Sequence, residues 1–183
     1  MAMAAEFLDL CSDGDLEGVR ASLQSGVDVN SKGKYGATGL MMVLEQRRIA
    51  VASLLLEQEG IDVNISDDDN RTALHYVAWH DKTSECLAML LARSDLTTGV
   101  NQKNWQGETA LGFAVRRNAV NCVQLLISDK RTDPNLKDNR GDSPLMVAVK
   151  HNRVACVELL LADPRVDLVT RDDYKRSEEE MAR

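Results

Sequence analysis

Histidine and cysteine can ligate a metal ion or act together as base and nucleophile. The chain has three histidines and four cysteines, which are His75, His80, His151, Cys11, Cys86, Cys122 and Cys156. No two of the cysteines are spaced as C-x-x-C, the arrangement typical of short zinc and redox motifs. The run Asp67-Asp68-Asp69 lacks the spaced ligands and the downstream glutamate of a calcium loop, so we expect a solvated turn there.

Cys86, Cys122 and Cys156 recur at matching positions of an internal repeat, which argues against a shared site. Cys122 lies 13 residues after Thr109, and Cys156 lies 13 residues after Ser143. Equivalent positions on stacked helices are about 8–10 Å apart, whereas metal ligands converge on one point and a disulfide needs Cα atoms within about 7 Å. The sequence therefore predicts no disulfide, no bound metal, no cofactor and no catalytic activity.

The repeat itself is visible in four segments that begin with Thr or Ser and have Leu two positions later. They are Thr38-Gly39-Leu40, Thr72-Ala73-Leu74, Thr109-Ala110-Leu111 and Ser143-Pro144-Leu145. Ser177 begins a fainter copy, so the starts fall at 38, 72, 109, 143 and 177, with spacings of 34, 37, 34 and 34. Ser and Thr are preferred at helix N-caps, so each start predicts the beginning of a helix.

Two further blocks follow each start at regular distances. The first is apolar at helical spacing, as in Val51-Ala52-Ser53-Leu54-Leu55-Leu56. The second resembles Asp62-Val63-Asn64 and leads into polar turn residues with Gly or Asn. Each unit is thus predicted to be helix, short turn, helix and an extended loop with a hairpin-like tip, and neighbouring units must stack to bury their apolar faces.

Thr72-Ala73-Leu74-His75 and Ser143-Pro144-Leu145-Met146, with the Asp-Val-Asn block, resemble the T-P-L-H-x-A signature of the ankyrin repeat, which is about 33 residues long. The resemblance implies one all-α ankyrin-repeat solenoid spanning residues 1–183, with about five repeats and a partial C-terminal cap. The repeat boundaries are 5–33, 34–67, 68–104, 105–138, 139–172 and, for the partial cap, 173–183. The resemblance also implies that His75 is a structural hydrogen-bonding residue inside the turn.

Composition bounds the function and the compartment. The formal net charge is -7 and the pI is near 5.0, which argues against a general nucleic-acid binder with a basic face. No segment approaches the roughly 18 consecutive apolar residues of a membrane span, and the first residues make a poor signal peptide because Glu6 and Asp9 interrupt them. We expect an intracellular monomer, cytoplasmic or nuclear, without membrane insertion.

The family resemblance implies a concave binding face made of the hairpin tips and the first helix of each repeat. The aromatic, basic and histidine residues that map to this face are Tyr35, Trp79, His80, Trp105, Arg116, Arg117, Arg140, Lys150 and Tyr174. Aromatic residues and Arg are the usual hot spots of protein interfaces. We therefore expect a protein-interaction module, a scaffold or adaptor, whose partner is an acidic segment with apolar anchors, and we expect charge reversal at Arg116 and Arg117 to slow association.

Two other functions are compatible with the pattern. An engineered ankyrin-type binder is one, although consensus designs keep near-identical repeats and these repeats differ in length and core residues. A nucleic-acid-associated regulator is the other, using the basic residues of repeats four and five. Acidic tip residues such as Asp68 and Asp173 oppose phosphate, so steeply salt-dependent DNA binding would be needed to support it.

Overall fold

The computed structural model describes residues 2–79, 84–96 and 99–168, which form a row of paired helices. Apart from two isolated bridges, these residues contain no β-structure. Their ten α-helices are α1 Ala2–Asp13, α2 Leu16–Gln24, α3 Gly39–Glu45, α4 Ile49–Leu56, α5 Ala73–Val77, α6 Ser84–Leu91, α7 Ala110–Arg117, α8 Val120–Ser128, α9 Pro144–Lys150 and α10 Val154–Leu161. The predicted all-α repeat architecture is confirmed, whereas the partial cap at 173–183 lies outside the described residues.

Stacking of like helices creates one continuous core. The first helices α1, α3, α5, α7 and α9 pack in sequence, and so do the second helices α2, α4, α6, α8 and α10. The largest fully buried side chains come from every unit, and they include Phe7, Leu44, Leu55, Leu74, Leu87, Leu111, Leu126 and Leu160. A single helix pair could not shield these side chains, so each unit depends on its neighbours for stability.

The predicted start residues are the N-caps of the first helices. Thr38, Thr109 and Ser143 each accept a hydrogen bond from the backbone N–H three residues later, at 3.4, 3.3 and 3.4 Å. Such a cap is typically worth about 1 kcal/mol. Pro144 occupies the first turn of α9, where its missing N–H costs nothing. Local side-chain chemistry thus sets where the first helix of each of these repeats begins.

His75 connects two consecutive units through its two ring nitrogens. The backbone N–H of Thr72 donates to Nδ1 over 3.1 Å, so Nε2 carries the proton and donates to the Glu108 carbonyl of the next unit over 3.0 Å. The ring is 0% exposed, and burial lowers its pKa to about 4. The structural role that the family resemblance implied for His75 is confirmed.

The loop asparagines join neighbouring units by hydrogen bonds. Asn30 donates from Nδ2 to the Gly60 carbonyl over 2.7 Å and accepts from the Asp62 N–H over 2.9 Å. Asn101 and Asn135 make the same pair of bonds to the loops that follow them. Because each amide satisfies a donor and an acceptor on the next loop, the loops stack in register.

Three arginines, which the sequence analysis did not single out, cap the second helix of the preceding unit. Arg131 donates to the Leu91 carbonyl at the end of α6 over 2.6 Å and pairs with Asp129 at 2.6 Å. Arg93 reaches the Leu56 carbonyl at the end of α4, and Arg165 reaches the Ile127 carbonyl in α8. A guanidinium at a helix C-terminus satisfies unpaired carbonyls and opposes the negative end of the helix dipole.

The four cysteines are buried, and we expect all four to be free thiols. Burial raises the pKa of Cys11 to about 12 and also raises that of Cys86, so these thiols should hardly ionise in the folded protein. Alkylation of unreduced protein should therefore be slow in the native state and should label four groups after unfolding. A missing pair of thiols, or zinc released on unfolding, would contradict this prediction.

Candidate binding face

The hairpin tips form a row along one edge of the stack. We define the tips as residues 34–36, 68–70, 105–107 and 139–141, one from each of repeats two to five. The N–H of Asp68 donates to the Tyr35 carbonyl over 3.0 Å, and the N–H of Trp105 donates to the Asp69 carbonyl over 2.9 Å. The N–H of Asn139 continues the row to the Gln106 carbonyl over 3.0 Å. These bonds make the tips one connected surface rather than separate loops.

Trp105 presents a bare indole from a fixed backbone. Its side chain is 60% exposed, while its N–H bonds to the preceding tip and its carbonyl accepts from Asn139 Nδ2 of the following tip over 2.9 Å. A large amphipathic ring held in this way offers contact area without losing backbone freedom on binding. The exposure predicted for Trp105 is confirmed.

Tyr35 is the second exposed aromatic of the row, with 66% of its surface accessible. Its φ is 59°, in the left-handed region that a bulky residue rarely adopts. The Lys34 ammonium lies 4.8 Å from the ring centroid. An exposed ring that contributes nothing to the core, on a strained backbone, is a feature that clusters at functional sites.

Trp79 was predicted to be a surface anchor, and in the structure part of its indole is engaged by neighbouring side chains. It is half-buried, and its ring centroid lies 5.4 Å from that of Phe113. The Arg117 guanidinium lies 3.6 Å from the Trp79 ring centroid. Because one surface of the indole faces Phe113 and another lies against Arg117, Trp79 can offer a partner only its remaining edge.

Arg116 is less available than the sequence suggested, because it is held by carboxylates of the chain itself. Its Nη2 lies 2.5 Å from Glu108 Oε1, as a close ion pair rather than an aligned hydrogen bond, and 3.4 Å from Asp138 Oδ2. Glu108 is only 3% exposed and would otherwise be a buried, uncompensated charge. Arg116 therefore compensates a buried carboxylate within repeat four.

Lys150 repeats this arrangement one unit later. Its Nζ lies 2.5 Å from Asp142 Oδ1, and Asp142 is buried. In both units the carboxylate precedes the cation by eight residues, which is the sequence signal that could have identified these pairs. Arg140 differs from Arg116 and Lys150. It is an exposed tip residue, and its side chain forms no ion pair with another described residue.

Asp67 is a buried hub that the sequence analysis wrongly placed in a solvated turn. Its carboxylate accepts from the backbone N–H of Asp69 and Arg71, from Arg71 Nε at 2.9 Å and from the Tyr76 hydroxyl at 2.7 Å. Burial and the hydrogen bond to Asp67 raise the pKa of Tyr76. The hydrogen bonds of Asp67 thus fix the backbone of the tip of repeat three, and Asp68 is the exposed acid of this tip.

The remaining candidate residues, His80 and Tyr174, lie outside the described residues. In the part of the chain that the structure describes, no three His, Cys, Asp or Glu side chains are grouped so that they could hold a metal ion. None of the helices described there has the length and apolar character needed to cross a membrane.

Comparison with known proteins identifies the repeat family that this architecture matches. A sequence model of three ankyrin repeats matches residues 4–99 and 96–172. A putative ankyrin repeat protein of fowlpox virus is 32% identical over 90 residues, which are 49% of this chain and 12% of that protein. A probable serine/threonine-protein kinase of Dictyostelium discoideum is 30% identical over 99 residues, which are 54% of this chain and 12% of the kinase. The chain therefore matches a small part of these much longer relatives.

Proposed function

The chain belongs to the ankyrin-repeat family, and from that premise we propose that it is a scaffold or adaptor module that binds a partner protein. Ankyrin repeats are generally protein–protein interaction modules. The partner lies along the concave face formed by the hairpin tips and the first helices. This module acts by binding and not by catalysis, as a monomer inside the cell, in the cytoplasm or the nucleus.

The exposed indole of Trp105 is the observation that carries the proposal. An indole that is 60% exposed, on a tip whose backbone is hydrogen-bonded to both neighbouring tips, leaves most of its surface available for a partner. Together with Tyr35, it gives the tip row two large apolar contacts of the kind that dominate interface energetics. The partner segment therefore needs two apolar side chains to cover these rings.

The basic residues determine which charge the partner segment should carry beyond the residue that contacts Trp105. Arg140 on the tip and Arg117 on α7 are both exposed, whereas Arg116 and Lys150 are engaged by carboxylates of the chain. An acidic group on the partner would meet Arg117 and Arg140, mainly speeding association and selecting the partner. Pairing of two of the four cations also disfavours the nucleic-acid alternative, because the partner carboxylates offset positive charge that would bind phosphate.

Replacing Trp105 by Ala tests the proposal. We expect the loss of about 2 kcal/mol or more of binding free energy, roughly a thirtyfold higher Kd, because the indole is a hot spot. Folding should change little, since an exposed tip side chain buries little apolar area. The measurement is calorimetric titration of a purified partner, first identified by affinity capture and mass spectrometry, together with melting curves of both proteins.

Gln124→Ala supplies the matched control, because Gln124 is an exposed residue of α8, a second helix away from the tips. It should bind like the wild type. Unchanged binding of Trp105→Ala, or a large loss of its stability, would place the interface elsewhere.

A further inference from the structure

Asp68 and Asn139 occupy equivalent positions, each four residues before its repeat start at Thr72 or Ser143. Each side chain lies over the glycine of the preceding tip. A Cβ added to Gly36 would come within 2.5 Å of Asp68 Oδ1, and one added to Gly107 would come within 2.2 Å of Asn139 Oδ1. The two side chains therefore sit in the same local setting, and their chemistry can be compared directly.

Only the amide makes use of this setting. Asn139 Nδ2 donates to the Trp105 carbonyl over 2.9 Å and so joins two tips. A carboxylate at Asp68 has no proton to donate to the equivalent Lys34 carbonyl. Asp68 is exposed, and within the described residues its carboxylate makes no hydrogen bond or ion pair. The chain thus gives up an inter-tip bond here and gains an outward-facing negative charge.

The neighbouring acids are both engaged by side chains of this chain, unlike Asp68. Asp67 is bound by Arg71 and Tyr76, and Asp69 pairs with Arg71 at 3.1 Å. Asp68 belongs to the tip between those of Tyr35 and Trp105, and its N–H bonds to the Tyr35 carbonyl. The order along the row is therefore exposed aromatic, free carboxylate, exposed aromatic.

Resting on the proposed function, we infer that the partner segment carries a lysine or arginine between two large apolar residues, with the cation against Asp68. Two repeat steps of about 8–10 Å separate the tips of Tyr35 and Trp105. An extended chain advances about 3.3 Å per residue, so the apolar residues are about five or six positions apart. The register is apolar, cation, apolar, and then an acidic residue facing Arg117 and Arg140.

Peptide binding provides the test. The probes are a displayed library of random dodecapeptides and one peptide selected from it. That peptide is synthesised in two forms, one with its central cation and one with norleucine in place of the cation. We expect peptides that compete at Trp105 to be enriched in a central Lys or Arg. Asp68→Asn should raise the Kd of the cationic peptide about tenfold and leave that of the norleucine peptide within about twofold.

Two variants separate a binding role from a structural one. Asp68→Asn should keep or raise the melting temperature, because its amide can donate to the Lys34 carbonyl, whereas Asn139→Asp should lower it. Asp9→Asn removes an equal charge at an exposed position of α1 and should leave the Kd of both peptides unchanged. Trp105-dependent binders without a central cation, or binding unchanged by Asp68→Asn, would overturn this inference alone. Binders insensitive to Trp105→Ala would overturn the proposed function as well.

Discussion

Replacing Arg116 by glutamate should cost about 3–5 kcal/mol of unfolding free energy, the expected loss when one partner of a buried ion pair is removed. Glu108 is 3% exposed and Arg116 Nη2 is its close counter-ion. The new carboxylate would also face Asp138, so three negative charges would meet at one joint. Since domains are stable by only about 5–15 kcal/mol, this change should remove a large fraction of the stability of the array.

The adjacent Arg117→Glu variant is the matched control, because it makes the same charge change one residue away. Arg117 is exposed and its guanidinium lies over Trp79. Losing such a contact costs about 0.5–1 kcal/mol. Urea denaturation followed by far-UV circular dichroism compares the two. Equal destabilisation by both variants would show that the Glu108 pair is not what Arg116 supplies.

This contrast revises how charge on the binding face should be probed. The sequence suggested reversing Arg116 and Arg117 together to slow association. In the folded chain the double change would both destabilise the fold and weaken the electrostatic attraction of a partner, so a slower association could not be assigned to either cause. Only Arg117 is exposed, whereas Arg116 pairs with Glu108. Arg117→Glu alone, with Arg140→Glu, measures the long-range attraction, and its effect should shrink at high salt.

The repeat starts could be predicted because their signals are local. A Thr or Ser followed two positions later by Leu specifies an N-cap and the first buried residue of a helix, and both lie within one turn. The glycines and Asn70 two residues before each start signal positive φ in the same direct way. Such features depend on neighbouring residues, so the sequence alone indicates them.

The state of the binding residues depends on contacts that cross the repeats. Trp105 and Tyr35 were placed correctly on the surface, because a tip has few atoms around it. The side-chain partners of Trp79 and Arg116 were not predicted, because Phe113 and Asp138 lie far from them in the sequence. Repeat alignment tells which positions share a face, but the charges and sizes of the facing residues decide which of them remain free.

Asp67, which directly precedes the tip of repeat three, shows the same limit. As one of three consecutive aspartates, it has no distinguishing sequence feature. The fold turns it inward to accept hydrogen bonds from Arg71 and Tyr76, while Asp68 turns outward. The different burial of adjacent aspartates follows from the backbone geometry at the tip, which residue types alone do not specify.

His75 gives the second large effect, because it is a buried joint between repeats that must stay neutral. Its Nδ1 accepts from the Thr72 N–H and its Nε2–H donates to the Glu108 carbonyl. A proton added at Nδ1 would replace an acceptor by a donor facing another donor. Since burial holds the folded pKa at about 4, below the unfolded value of about 6.5, the unfolded chain binds this proton more readily.

The stability that His75 supplies is thus complete above about pH 6.5 and is lost as pH falls toward 4. From about pH 7.5 to pH 4 the loss should reach about 3 kcal/mol, at 1.36 kcal/mol per pKa unit. The ion-paired carboxylates of Asp129 and Asp163 have lowered pKa values and titrate below this window. Urea denaturation across the range should show the slope in wild type and in His151→Asn, whose histidine is exposed, but not in His75→Asn. A slope that persists in His75→Asn would assign the acid sensitivity to another group.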